Sequence, residues 1–158
     1  MAKKIKTVLF VCTGNSCRSV MAEGLLRKYL EEAGRTDVRV MSAGVGTLDG
    51  MLPAPHTIEV MKGEGVDVSG YRAKILTDGT VREADLILVM EEFHREEIVA
   101  RDPKAANKTF LLRHFRREPA DELLHEPTVP DPIGKPLETY REVLGLLKAE
   151  IQRIMELL

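Results

Sequence analysis

The run Val11-Cys12-Thr13-Gly14-Asn15-Ser16-Cys17-Arg18-Ser19 stands between an apolar stretch, Thr7 to Val11, and a helix-like stretch from Val20 to Leu30. A strand that passes through a short loop straight into a helix is the first half of a parallel crossover, and it commits the chain to an α/β fold. A loop in that position turns its backbone N–H groups into one concavity at a helix N-terminus, a ready site for a tetrahedral oxyanion such as phosphate. A thiol at the mouth of such a nest, beside a guanidinium, favours its thiolate form. Cys12 is then placed to attack a bound phosphoryl group and carry it as a cysteinyl-phosphate. Arg18 supplies a planar fork for two oxygens and stabilises the charge they gather in the transition state, which a Lys could not do bidentately. Ser19 can donate its hydroxyl hydrogen to the sulfur and help it leave. Thr13, Gly14, Asn15, Ser16, Cys17 and Ser19 complete the anion-binding loop, with Gly14 and Asn15 expected to take left-handed backbone angles.

The rest of the chain reads as strands alternating with helices. Ile5 to Val11 is the first strand, and Val20 to Gly34 a helix that Gly34 ends. Val38 to Ser42 is a second strand, and Pro55 to Gly65 a helix with proline in its first turn. Asp85 to Met90 is a buried strand, Glu92 to Arg101 a helix stopped before Pro103, and Thr109 to Leu112 a fourth strand. From Leu137 to Leu158, the residues Val143, Leu147, Ile151, Ile154 and Leu158 recur at helical steps and form one apolar stripe. The expectation is a single three-layer α/β domain over residues 1–158, a four-stranded parallel sheet flanked by helices. Ligands of such sheets sit at the carboxyl ends of the strands. That places the Cys12 loop and the segment after the fourth strand on one edge.

Composition excludes several classes. Net charge is −2 with acids and bases mixed along the chain, so no nucleic-acid footprint is expected. The basic groups Lys3-Lys4-Lys6 and Arg113-His114-Phe115-Arg116-Arg117 read as solvated surface. No apolar run reaches the length of a membrane span, and no leader-like stretch opens the chain, so a cytoplasmic protein is expected. His56, His94, His114 and His125 show no ligand spacing with the two cysteines, so no metal is expected. Nor is an organic cofactor implied. A monomer is consistent with the composition.

A phosphoryl-transfer reading also needs an acid, and Thr128-Val129-Pro130-Asp131-Pro132 supplies one candidate, with prolines holding the carboxylate of Asp131 on a stiff turn. By itself an Asp-Pro pair reads first as an ordinary turn. Cys17 is either a small packing residue at the loop-helix junction or a second reactive thiol.

The Cys12 loop with Met21-Ala22-Glu23, then Ser42-Ala43-Gly44, then Ala84 to Met90, then Pro130-Asp131-Pro132, occur in the order of the low-molecular-weight protein tyrosine phosphatase family, which the chain resembles along nearly its whole length. The resemblance implies that family's flavodoxin-like topology and a phosphorylated protein as substrate. It makes Cys12 the nucleophile, Arg18 the phosphate clamp and Asp131 both acid and base. It implies that Ser42 bonds Asn15 and steadies the loop; where the family usually has a His in this network, the chain offers Tyr71. It also implies that Cys17 can trap an oxidised Cys12 as a disulfide. Substrate choice stays open. Ser16 is small and polar, as in the related protein arginine phosphatases, and Ile133-Gly134 stand where tyrosine phosphatases of the family often have aromatics. Phosphotyrosine and phosphoarginine are both admitted. Two alternatives remain. Thioredoxin-linked arsenate reductases share the loop, but they use two further cysteines that are missing here, and a silent phospho-ligand binding module would not need both Cys12 and Asp131.

Overall fold

The computed structural model describes residues 4–158; Lys3, part of the basic start, lies outside them. Four parallel strands form the sheet: β1 (Thr7–Cys12), β2 (Arg39–Gly44), β3 (Leu86–Val89) and β4 (Thr109–Leu111), in the order β2-β1-β3-β4. β1 is central because its run is apolar on both faces, as a strand covered from both sides must be. Val8, Leu9, Phe10 and Val11 are all fully buried. Val8, Phe10 and Cys12 face α1 (Arg18–Glu32) and α6 (Leu137–Met155), while Leu9 and Val11 face α3 (Asp78–Glu83) and α4 (Glu92–Arg101). The side-chain period of two in a strand thus builds two cores from one run. α2 (Pro55–Gly63) packs on the α1/α6 side, and a short α5 (Pro119–Glu122) precedes the Asp131 segment.

The α6 stripe is as its spacing demands. Val143, Leu147, Ile151 and Ile154 are buried against α1, while Leu158 lies beyond the helix end and is only partly buried. Glu92–Arg101 and the proline start at Pro55 match the sequence expectation. Other boundaries move by one to three residues. β1 begins at Thr7 rather than Ile5, because the Asp85 carboxylate accepts the N–H groups of Lys6 and Thr7 at 2.9 Å each and ties off the strand start. β2 runs to Gly44 rather than Ser42, since it pairs with β1 as far as Cys12. α1 starts at Arg18, two residues early, and ends at Glu32, with Gly34 past its end at φ 66.

Three elements give no periodic signal: α3, opened by a Thr77/Thr80 capping box, the four-residue α5, and a 3-10 turn over Pro103–Lys108. All three are too short to show a repeat. The basic run Arg113 to Arg117 is solvated surface only at Arg116. Phe115 is 3% exposed and the Arg117 side chain 10%, held by Asp121 at 2.8 Å and Glu150 at 2.6 Å. Arg117 covers a core edge by pairing with carboxylates, one of them distant in the chain, which a charge count cannot reveal. Among the described residues no helix is long and apolar enough to cross a membrane.

Candidate active site

The order β2-β1-β3-β4 reverses direction between β1 and β3, and ligands of open α/β sheets gather at the carboxyl ends beside such a switch. The loop after β1 emerges there. Cys12 is its first residue, 2% exposed, and Cys17 is the N-cap of α1. No side chain among the described residues caps α1, so its first-turn amides face the loop's concavity, where an anion can take them.

The loop is held by a hydrogen-bond network whose directions can be read. Asn15 Oδ1 accepts the backbone N–H of Lys74 at 2.9 Å, which fixes the amide's orientation. Its Nδ2 then donates to Ser19 Oγ at 2.8 Å and Ser42 Oγ at 3.0 Å. Ser19 Oγ is therefore an acceptor toward Asn15 and keeps its own hydrogen for Cys12 Sγ, 2.9 Å away. The Asn15 N–H also points at the sulfur, at 3.3 Å. Two donors thus converge on the Cys12 sulfur. Tyr71 does stand in the network: its hydroxyl bonds Ser42 Oγ at 2.5 Å and donates to Asn15 Oδ1 at 2.8 Å. Burial pushes the Tyr71 phenol up to about 12, so it works as a neutral donor. Asn15 takes a left-handed φ of 49°, as expected, but Gly14 does not; its place in the loop requires no positive φ. The glycine that matters sterically is Gly44, where a Cβ would lie 2.5 Å from the Thr13 carbonyl oxygen and 3.0 Å from Asn15 N. The end of β2 passes against the loop backbone, and only glycine fits.

Arg18 is 2% exposed and oriented from below. Its Nη1 donates to Glu91 Oε2 at 2.7 Å and to the Val129 carbonyl at 2.8 Å. Val129 N–H in turn donates to Met90 O at 2.9 Å, pinning the segment that carries Asp131 to the end of β3. Asp131 Oδ2 lies 3.6 Å from Arg18 Nη2, and its Oδ1 accepts the Ile133 N–H at 3.1 Å in an Asx-type turn between the two prolines. Sequence reasoning missed Glu91 and His94. His94, fully buried, accepts the Glu91 N–H on Nδ1 at 3.1 Å, so its Nε2–H donates to Thr13 Oγ1 at 2.9 Å. Burial and the Arg18 charge push the His94 imidazole down to about 4, which keeps this tautomer neutral. The available signal was a Glu-x-x-His spacing directly after a buried strand, at the edge where ligands bind.

Cys12, Thr13, Gly14, Ser16, Cys17, Arg18, Asp131 and Ile133 together line a cavity of about 130 Å³. Cys17 is a buried free thiol, as is Cys12, and burial pushes the Cys17 thiol up from its ordinary value. Ser19, Ser42 and Tyr71 lie behind the loop rather than in the cavity. A nucleophile, a cation fork and an acid on one small concavity can perform acyl or phosphoryl transfer with covalent catalysis, and the anion nest favours phosphoryl. Among the described residues no group of three His, Cys, Asp or Glu is gathered to hold a metal.

The chain is similar to known proteins along most of its length. A family model described as low molecular weight phosphotyrosine protein phosphatase matches residues 7–158. The chain is 39% identical over 144 residues to the probable low molecular weight protein-tyrosine-phosphatase EpsP of Ralstonia nicotianae, covering 91% of this chain and 90% of that one. It is 36% identical over 149 residues to a protein-arginine-phosphatase of Geobacillus stearothermophilus, covering 94% and 93%. Among solved structures, the low molecular weight protein tyrosine phosphatase from T. tengcongensis superposes with a TM-score of 0.87 at 38% identity, over 96% of this chain and 99% of that one.

Proposed function

The chain belongs to the low molecular weight phosphotyrosine protein phosphatase family and is an enzyme of that type; from that premise we propose that it hydrolyses phosphotyrosine on proteins through a cysteinyl-phosphate on Cys12. The observation that carries the mechanism is the convergence of Cys12, Arg18 and Asp131 on one cavity of about 130 Å³. The phosphoryl group enters the loop, where backbone N–H groups and the Arg18 fork take its equatorial oxygens. Because Glu91 and the Val129 carbonyl hold Nη1 from behind, the fork faces the cavity with its remaining donors. The Cys12 sulfur attacks phosphorus, and Asp131 protonates the departing phenolic oxygen. Water then attacks the cysteinyl-phosphate, with Asp131 as base. The sulfur leaves as a thiolate stabilised by the Ser19 hydroxyl, which Asn15 has already turned toward it. In this reading residues 1–158 act as one catalytic domain, a cytoplasmic monomer without metal or organic cofactor.

Phosphoarginine is the second reading, supported by Ser16, whose half-buried hydroxyl lines the cavity and could accept from a guanidinium. The mouth argues against it. Apart from Asp131, no carboxylate lines the cavity, and Ile133 offers an apolar edge, which suits a phenyl ring better than a cation. Arsenate reduction is not favoured, since the chain holds only Cys12 and Cys17 and its relatives above are phosphatases. The test is phosphate release from matched phosphotyrosine and phosphoarginine peptides under reducing conditions, with Cys12→Ser as control. Preference for phosphotyrosine supports the reading, preference for phosphoarginine shifts it to Ser16, and no Cys12-dependent release from either overturns it. Cys17 as a trap for oxidised Cys12 is a proposal resting on the family resemblance; unchanged recovery by dithiothreitol after peroxide in Cys17→Ser would refute it.

A further inference from the structure

Beyond the phosphate cavity the surface continues as an open groove of about 910 Å³, which shares Gly14, Ser16 and Ile133 with the cavity. Its far wall is the segment from Gly46 to Pro55, between β2 and α2. Leu48, Met51, Leu52 and Ile133 project there with 71%, 54%, 60% and 53% of their surface exposed. A single exposed Leu means little, but four large apolar side chains gathered against a catalytic cavity mark a binding surface.

The segment is a built platform. Ala54 N–H donates to Ser16 O at 3.1 Å, Gly46 N–H to Thr13 O at 2.9 Å, Gly50 N–H to Ala73 O at 2.9 Å, and Ala73 N–H to Met51 O at 2.8 Å. Two of those bonds run to the anion loop itself, at Ser16 and Thr13, so the platform's position is tied to that loop. Among the described residues no ionisable side chain lines the groove. Asp131 lines the adjoining cavity, and Asp49 lies within the segment, its carboxylate accepting the Ile75 N–H at 2.7 Å.

We infer that this groove receives a large apolar side chain of the phosphoprotein substrate, one or two residues from the phosphorylated one, so that the enzyme selects apolar flanks and disfavours acidic ones. The inference rests on the phosphatase reading above. Successive Cα atoms are about 3.8 Å apart, so a chain whose phosphoryl group is in the cavity must lay its next residues on the adjoining surface. The groove begins at the cavity's own rim, and its volume exceeds what one ring at the mouth would fill. An apolar flank gains burial there, whereas a carboxylate would lose hydration with no cation among the lining residues to pair it.

The experiment compares phosphotyrosine peptides that differ only at the positions flanking the phosphoresidue, Leu against Asp, on the wild type and on a Leu48→Ser/Leu52→Ser double variant. Both replaced residues are surface-exposed, so folding is not at stake. Binding of the same peptides to the Cys12→Ser protein is measured by fluorescence anisotropy, and para-nitrophenyl phosphate serves as the flankless control. The expected result is about tenfold higher kcat/KM for the Leu peptide, carried by KM, the same ratio in affinity for Cys12→Ser, and its loss in the double variant with para-nitrophenyl phosphate turnover unchanged. Equal treatment of the two peptides, or an equal loss on all three substrates in the double variant, overturns the inference. If the wild type hydrolyses nothing, the phosphatase reading fails, and the anisotropy ratio still decides whether the groove prefers apolar flanks.

Discussion

Asn15 uses every donor and acceptor of its side chain: Lys74 N–H and Tyr71 OH on Oδ1, Ser19 and Ser42 on Nδ2. A fully committed amide explains why a non-glycine residue tolerates φ 49° at this point, the strain being held by its neighbours. Among the described residues Asp131 is held by its own turn and by Arg18, which suits the proposed exchange of a proton with the leaving group and then with water. Asp131→Asn is expected to slow hydrolysis of a poor leaving group by about 100- to 10,000-fold and of para-nitrophenyl phosphate far less, since only the former needs the proton. Steady-state kinetics on an alkyl and an activated aryl phosphate check this; equal losses on both would remove Asp131 as the acid. His94 gives a pH prediction. Its imidazole is pushed down from 6.5 to about 4 in the fold, so between those values the unfolded chain binds the extra proton. Stability carried by neutral His94 is present above pH 6.5 and is lost as pH falls toward 4, by about 3 kcal/mol. Urea unfolding across that range should show a shallower decline in His94→Gln; identical slopes would mean that His94 does not titrate with unfolding.

At the scale of elements, the site depends on where β2 ends and on the residues just past β3. β2 runs to Gly44 and brings its backbone against the loop; a methyl there would have to displace Thr13 or Asn15 backbone. Gly44→Ala is expected to cost about 100-fold in kcat/KM with the far-UV circular dichroism unchanged, because a loop moved by a fraction of an ångström loses its attack geometry. Wild-type kinetics in that variant would show that β2 and the loop can separate without consequence. The end of β3 contributes through Met90, whose carbonyl fixes Val129 and with it the Asp131 turn, and through Glu91 and His94 at the start of α4. α4 was legible as a helix from its stop before Pro103, yet its first turn serves the site, which no helical pattern announces.

At the scale of the whole molecule, two cores clamp a four-stranded sheet whose switch point carries the loop, so anion binding and folding are linked. Inorganic phosphate at 100 times its dissociation constant should stabilise the fold by about 2.7 kcal/mol, and the effect should shrink in Arg18→Lys, which keeps the charge but not the fork. Thermal unfolding with and without phosphate measures it, and an equal gain in both proteins would exclude the fork as the anion's partner. What the sequence alone determined is local or periodic. The β-loop-α unit with Cys12 and Arg18, the doubly buried β1, the α6 stripe and the Asp-Pro turn are readable because each rests on residues adjacent or regularly spaced in the chain. Tertiary structure alone decided what joins distant residues. Glu91 reaches Arg18 across 73 positions, and Lys74 N–H sets the Asn15 amide across 59. The basic run at Arg117 is neutralised by Glu150 from 33 positions away, and the apolar groove forms where the Gly46–Pro55 segment meets Ile133. Such pairings come from the sheet's order and from which side chains must find partners once buried, and neither is encoded in local spacing.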